Sequence, residues 1–273
     1  MKGIIERVDE ALGFIRSKFS VQPEVGVVLG SGLGNFKEMI KIQGEIDYSE
    51  IPHFPESTVE GHFGRLIFGE IGGKRLVVMA GRFHFYEGYS AEQVIFPIRV
   101  MKALGINSLF ISNAAGGVNP AFKVGDLMVI KDHISFAIAN PLIGPNESEL
   151  GPRFPDMSEP YSKVLIEKAQ VLAKQMGIRL QQGVYFGVMG PTFETRAEYK
   201  LIRILGGDAV GMSTVQEVIA AVHLGLPVFA MSVITDIGIR EEDNVITHDD
   251  VLKAAKAAEP QMSALLAGLI QSL

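Results

Sequence analysis

At 273 residues the chain is long enough for one large α/β domain or for two small ones. An apolar share of 47% excludes a disordered chain, and a net charge of −6 with no basic run of five or more argues against a nucleic-acid surface. The absence of cysteine excludes disulfides, thiolate chemistry and cysteine-ligated zinc.

The N-terminal stretch MKGIIERVDEALGFIRSKF carries charges at helical spacing and no small-residue cleavage site, so it reads as an amphipathic helix and not a signal peptide. EVGVVLG (24–30) is a short apolar strand that ends in the loop GSGLG (30–34). RLIFGE (65–70) and KRLVVMA (74–80) flank IGG and predict a hairpin. Ser90, with Gln93 three residues on, predicts a capped helix that ends near Gly105. SLFISNAA (108–115) and DLMVIKD (126–132) are further strands, joined by a turn at GGVNP (116–120). Residues 139–160 have no period and are rich in Pro, Gly, Asn and Glu, which predicts a long functional or interface loop. A helix around 160–176, the strand GVYFGVMG (183–190), a helix across 195–205, the strand DAVGM (208–212) and a helix over 215–224 follow. The strand PVFAMSVITD (227–236) leads to a last helix capped by Thr247 and Asp250.

Strands separated by helices predict an α/β fold with a central mixed sheet covered by helices. With no internal repeat and no dividing linker, residues 1–273 are expected to form a single domain. The longest apolar stretch, Val218 to Ile234, is interrupted by His223, Gly225 and Pro227, too broken for a membrane span. The expectation is a soluble cytoplasmic protein that engages neither membrane nor nucleic acid.

The loop after the first strand lacks the third glycine of a dinucleotide fingerprint, since residue 35 is Asn, and no Gly-Lys-Ser/Thr triplet makes a P-loop. It still offers a hydroxyl, Ser31, and unhindered backbone N–H groups to a phosphate-sized anion. No G-x-S-x-G elbow surrounds a serine. The histidines show no H-E-x-x-H spacing, so no metal is expected. Chemistry-bearing residues instead concentrate in GRFHFYEGY (81–89), SNAAGGVNP (112–120), GPTFET (190–195), VGMST (210–214) and SVITD (232–236), each at or after a strand end. In open α/β sheets such ends converge on one crevice.

In this order the clusters resemble the trimeric purine nucleoside phosphorylases, from about Val25 to Val251. The resemblance is carried by GSGLG, GHFGRL, GRFHFYEGY, FPIRV, NAAGGVNP, VGDLMVIKDHI, RFPDMS, GPTFET and DAVGMSTVQEVIAA. It implies the nucleoside phosphorylase fold, with a partly barrel-like sheet, and reversible phosphorolysis of purine nucleosides with 6-oxopurines preferred. No cofactor is implied beyond the co-substrate phosphate, which Ser31, Arg82, His84, the Ala114 N–H and Ser213 would hold, with His62 close by. Tyr86, Met212, Thr235 and His248 are implied nucleoside contacts, and Phe193 would pack on the base. Glu194 and Asp236 would read its polar edge, with His84 counted beside them as catalytic. Phe154 resembles the aromatic residue that each subunit lends to a neighbour's sugar site, which implies a homotrimer with shared active sites.

One position departs from the pattern. Members specific for 6-oxopurines usually carry Asn where this chain has Asp236, and an ionised Asp accepts but cannot donate. A methylthioadenosine phosphorylase, or a broad enzyme that takes adenosine or xanthosine, is the alternative within the family. Outside it stand a nucleotide-dependent enzyme built on GSGLG and a non-catalytic nucleoside-binding protein.

Overall fold

The computed structural model describes residues 2–31, 33–58, 63–239 and 246–273. Helix α1 (Ile4–Lys18) buries Ile4, Val8, Ala11 and Ile15, one stripe at helical spacing. Strand β1 (Val25–Val28) is buried along its whole length. Next comes β2 (Lys41–Asp47), which sequence reading missed: KIQGEID is largely exposed and polar, and carries neither an apolar alternation nor a buried run. The predicted hairpin is β3 (Arg65–Ile71) and β4 (Lys74–Ala80), antiparallel. Its turn residues Gly72 and Gly73 both have positive φ, the conformation a two-residue hairpin turn requires.

Helix α2 (Ala91–Leu104) begins at the predicted capping box and ends on Gly105 in the left-handed region. Strand β5 (Ser108–Gly117) runs two residues into the stretch expected to be a turn. Gly116 and Gly117 stay extended because β5 is paired there on both sides. After β6 (Leu127–Ile134) no helix or strand occurs until α3 (Lys163–Gln175), as the composition of 139–160 predicts. Then follow β7 (Leu180–Gly187), α4 (Arg196–Ile204), β8 (Ala209–Gly211), α5 (Val215–His223), β9 (Val228–Ile237) and α6 (His248–Gln271).

Among the described residues, nine strands form one mixed sheet in the order β2-β3-β4-β1-β5-β8-β7-β6-β9, and β9 returns to pair with β5. That second pairing closes β5, β8, β7, β6 and β9 into a five-stranded barrel, from which β1, β4, β3 and β2 extend as an open wing. The expected mixed, partly barrel-like sheet flanked by helices is therefore present. Across the seam between wing and barrel the strands paired as β4–β1, β1–β5 and β5–β9 all run parallel. Their carboxyl ends open together on one side. Among the described residues, no helix is long and apolar enough to cross a membrane.

Candidate active site

A cleft lined by polar and apolar side chains lies at these strand ends. Ser31 follows β1, Arg82 and His84 follow β4, and Ala114 sits within β5. Phe193 and Glu194 come after β7, Met212 and Ser213 after β8, and Thr235 and Asp236 at the end of β9. Tyr86 and, from the start of α6, His248 complete the lining.

One end is rich in donors. Arg82 is 1% exposed. Its Nη1 donates to Thr214 Oγ1 at 3.1 Å and lies 3.2 Å from the Glu217 carboxylate, itself buried. Nη2 donates to the Ser112 and Val28 carbonyls. Thr214 Oγ1 also accepts from Asn113 Nδ2 at 2.8 Å and stands 3.1 Å from Ser213 Oγ. The backbone at Thr214 is left-handed, φ 70°, rare for a β-branched residue and a mark of a held conformation.

His84 lies beside this group, its ring stacked on Tyr86 with centroids 4.6 Å apart. Burial lowers its pKa, although the Glu87 carboxylate pulls the other way. Burial alone would raise Glu87, but hydrogen bonds from His84 and Thr58 outweigh it and hold the carboxyl down at about 2. The 2.9 Å contact between them is thus a neutral imidazole donating Nδ1–H to a carboxylate, which leaves Nε2 as the ring's other polar atom.

The other end is acidic. Asp236, 7% exposed, accepts from the Thr235 hydroxyl at 3.1 Å and from the Tyr199 hydroxyl at 3.4 Å. Glu194 also shares a hydrogen bond with Tyr199; burial, then the charges of Asp236 and Glu198, raise its pKa. Phe193 stands at the rim, 42% exposed. Donors at one end suit an oxyanion, and acceptors at the other suit the N–H edge of a heterocycle.

Residues 24–271 match the family model of the phosphorylase superfamily. Purine nucleoside phosphorylase 1 of Geobacillus stearothermophilus is 48% identical over 97% of each chain. The enzyme of Rattus norvegicus is 48% identical over 95% of this chain and 92% of its own. Solved structures agree: Schistosoma mansoni purine nucleoside phosphorylase in complex with adenosine superposes with a TM-score of 0.94 at 42% identity over 98% of both chains. A schistosoma purine nucleoside phosphorylase in complex with hypoxanthine gives 0.92 at 41%, again over 98% of both.

The chain belongs to the purine nucleoside phosphorylases. It is therefore a pentosyltransferase of that family, and the cleft is where its chemistry has to be sought.

Of the residues singled out in the sequence, Ser31, Arg82, His84, Tyr86, Ala114, Phe193, Glu194, Met212, Ser213, Thr235, Asp236 and His248 all line this one cleft. Phe154 does not. It is 87% exposed, lies beside the Arg153 guanidinium and borders a separate hollow with His133 and Met157. His62 lies outside the described residues.

Sequence reading of this phosphorylase missed the groups that hold the donors in place. Glu217 and Thr214 show the spacing of a capping box, Thr-x-x-Glu before an apolar run. Yet the Thr214 side chain makes no cap hydrogen bond, and both residues turn inward to Arg82. Tyr199 reads as an ordinary position of an amphipathic helix, but its hydroxyl meets both acids. The sequence carried no signal for it, because Glu194 precedes the helix and stands five residues away, outside the i+3 and i+4 spacings of one helix face.

Proposed function

We propose that the cleft splits purine nucleosides by attack of inorganic phosphate, with 6-oxopurine nucleosides preferred. The observation that carries this is the polarity of the cleft. A buried guanidinium, an imidazole and hydroxyls face one end, and two carboxyl groups face the other. Ser31, Arg82, His84, the Ala114 N–H and Ser213 hold phosphate, and Tyr86, Met212, Thr235 and His248 position the nucleoside. A phosphate oxygen attacks C1′ on the face opposite the purine, and the C1′–N9 electron pair leaves with the base. No covalent enzyme intermediate is needed, and inversion at C1′ follows. The protein's work is orientation and charge stabilisation. Glu194 accepts N1–H of a 6-oxopurine, while Asp236 addresses N7 and the 6-substituent. Asp in place of Asn at 236 favours a second substrate class, adenosine, because a carboxylate accepts from a 6-amino group.

Phosphate is the only co-substrate required. Residues 1–273 form a single domain, supported by a core that joins α1 to α6 without a break. The exposed Phe154 ring completes the sugar site of a neighbouring subunit in a homotrimer of a soluble, cytoplasmic enzyme. Hypoxanthine release from inosine, followed with and without phosphate, tests the reaction. Sustained turnover in phosphate-free buffer would identify a hydrolase and refute it. Mixing Phe154→Ala subunits with Glu194→Ala subunits tests the shared site: some activity returns, whereas none returns if each subunit is self-sufficient.

A further inference from the structure

Tyr199 stands between the two acids of the purine end. Its ring is 4% exposed and packs with Phe186, Ile202 and Val210. The backbone has been cut back around it: a Cβ on Gly238 would lie 2.0 Å from the ring. At Gly116 a Cβ would lie 3.3 Å from the Tyr199 hydroxyl and 3.2 Å from Asp236 Oδ2. The hydroxyl is thus fixed at the carboxyl groups, in a niche that only glycine at 238 leaves open. Burial and the two neighbouring acids push the phenol's ionisation far above its ordinary value, so it is a permanent donor. It has one proton and two carboxyl neighbours.

We infer that Tyr199 is a specificity-determining residue, a two-position donor that stabilises whichever of Glu194 and Asp236 is ionised while the other carries a proton toward the base. The inference rests on the reading of Glu194 and Asp236 as the purine-recognising pair. A 6-oxopurine presents N1–H as a donor and O6 and N7 as acceptors. It is matched when Tyr199 donates to an ionised Glu194, which accepts N1–H, and a protonated Asp236 donates to O6 or N7. A 6-aminopurine presents a bare N1 and an amino donor. It is matched by the reverse arrangement: Glu194 donates its proton to N1, and Tyr199 donates to an ionised Asp236, which accepts from the amino group. Exchange between the two moves one proton from one carboxyl to the other and leaves the net charge of the three groups at one negative unit. Tyr199 adds a hydrogen bond to either charge with the same proton, beside the one that Asp236 also accepts from the Thr235 hydroxyl.

The two acids do not depend on Tyr199 equally. Asp236 is 7% exposed, whereas Glu194 is half-buried and can draw a replacement donor from water. Loss of the hydroxyl therefore penalises the ionised Asp236, and with it the 6-amino arrangement. Tyr199→Phe keeps the ring in its niche and removes only the donor. The measurement is kcat/KM for inosine and for adenosine, with KM for phosphate, in wild type, Tyr199→Phe, Asp236→Asn and the double variant. Tyr199→Phe is expected to raise the inosine-to-adenosine ratio about tenfold, the usual scale for a hydrogen bond to a charged group. KM for phosphate, read at the far end of the cleft, stays within about twofold, which a general loosening of the fold would not allow. In the Asp236→Asn background the Tyr199 substitution produces no further change in the ratio. An unchanged ratio in Tyr199→Phe, or a tenfold change that persists in the double variant, overturns the role of Tyr199. If Asp236→Asn itself shifts the ratio and Tyr199→Phe does not, only this inference falls. If Asp236→Asn also leaves it unchanged, the reading of the purine end falls with it.

Discussion

The donor-rich end of the cleft and its acidic end differ in how firmly their side chains are held. Arg82 is fastened by a carboxylate, a hydroxyl and two backbone carbonyls, all buried. His84 is locked by Glu87 and by the face of Tyr86. At the acidic end, Glu194 and Asp236 share one phenol, and Phe193 stands at the rim open to solvent. Under the proposed function the contrast follows from what each end must do. An attacking oxyanion has the same shape in every turnover, so a rigid cradle costs nothing in scope. Purine edges differ in where they donate and accept, so that wall gains from groups whose protons can be redistributed.

Removing a brace from the rigid end should have the largest effect. Glu217→Gln takes the negative charge away from the buried guanidinium and is expected to cost about 3–5 kcal/mol of folding stability, the scale for breaking a buried ion pair. Urea unfolding would measure it. Added phosphate, which returns negative charge to Arg82, should stabilise this variant more than wild type. Equal stabilisation of the two would mean that Arg82 does not meet the anion.

At the adaptable end the damage should fall on turnover and not on the fold. Glu194→Ala is expected to lower kcat/KM for inosine about a hundredfold, since a charge-assisted bond is lost in a desolvated pocket. Its melting temperature should stay close to wild type. An unchanged kcat/KM would remove Glu194 from base recognition.

The smallest effect concerns the His84 brace. Glu87 titrates near 2 in the folded chain against its ordinary 4.5. Its ionised form therefore stabilises the fold above pH 4.5, and that contribution fades as pH falls toward 2. The gap in urea midpoint between wild type and Glu87→Gln should be constant from neutral pH down to about 5 and narrow at lower pH. A gap that does not change with pH would place the stabilisation in packing and not in charge.

How much of this the sequence announced depends on the kind of signal. Strands β1, β3, β4, β5 and β9 are apolar runs with clear punctuation, and the capped starts of α2, α4 and α6 are spelled out locally. β2 escaped because an exposed edge strand has little apolar surface to bury and so no period to detect. Barrel closure was legible only through resemblance, since the pairing of β5 with β9 joins residues more than a hundred positions apart. In the site, short strand-end clusters exposed Arg82, His84, Glu194 and Asp236, whose chemistry needs no context. Glu217, Thr214 and Tyr199 act through what they touch. A helix position does not reveal whether it faces a buried guanidinium or water.

The closed barrel has a consequence for the chain while it is being made. β9 bonds to β5 on one side and to β6 on the other. Until residue 228 and its successors have left the ribosome, those two strands have no partner on the sides that β9 will occupy. Unpaired edges of this kind recruit strands from other chains. The enzyme therefore passes through its most aggregation-prone state late in synthesis, with most of the sheet already translated. A stop codon just before β9 should send product to inclusion bodies, while one placed after Gln271 should not.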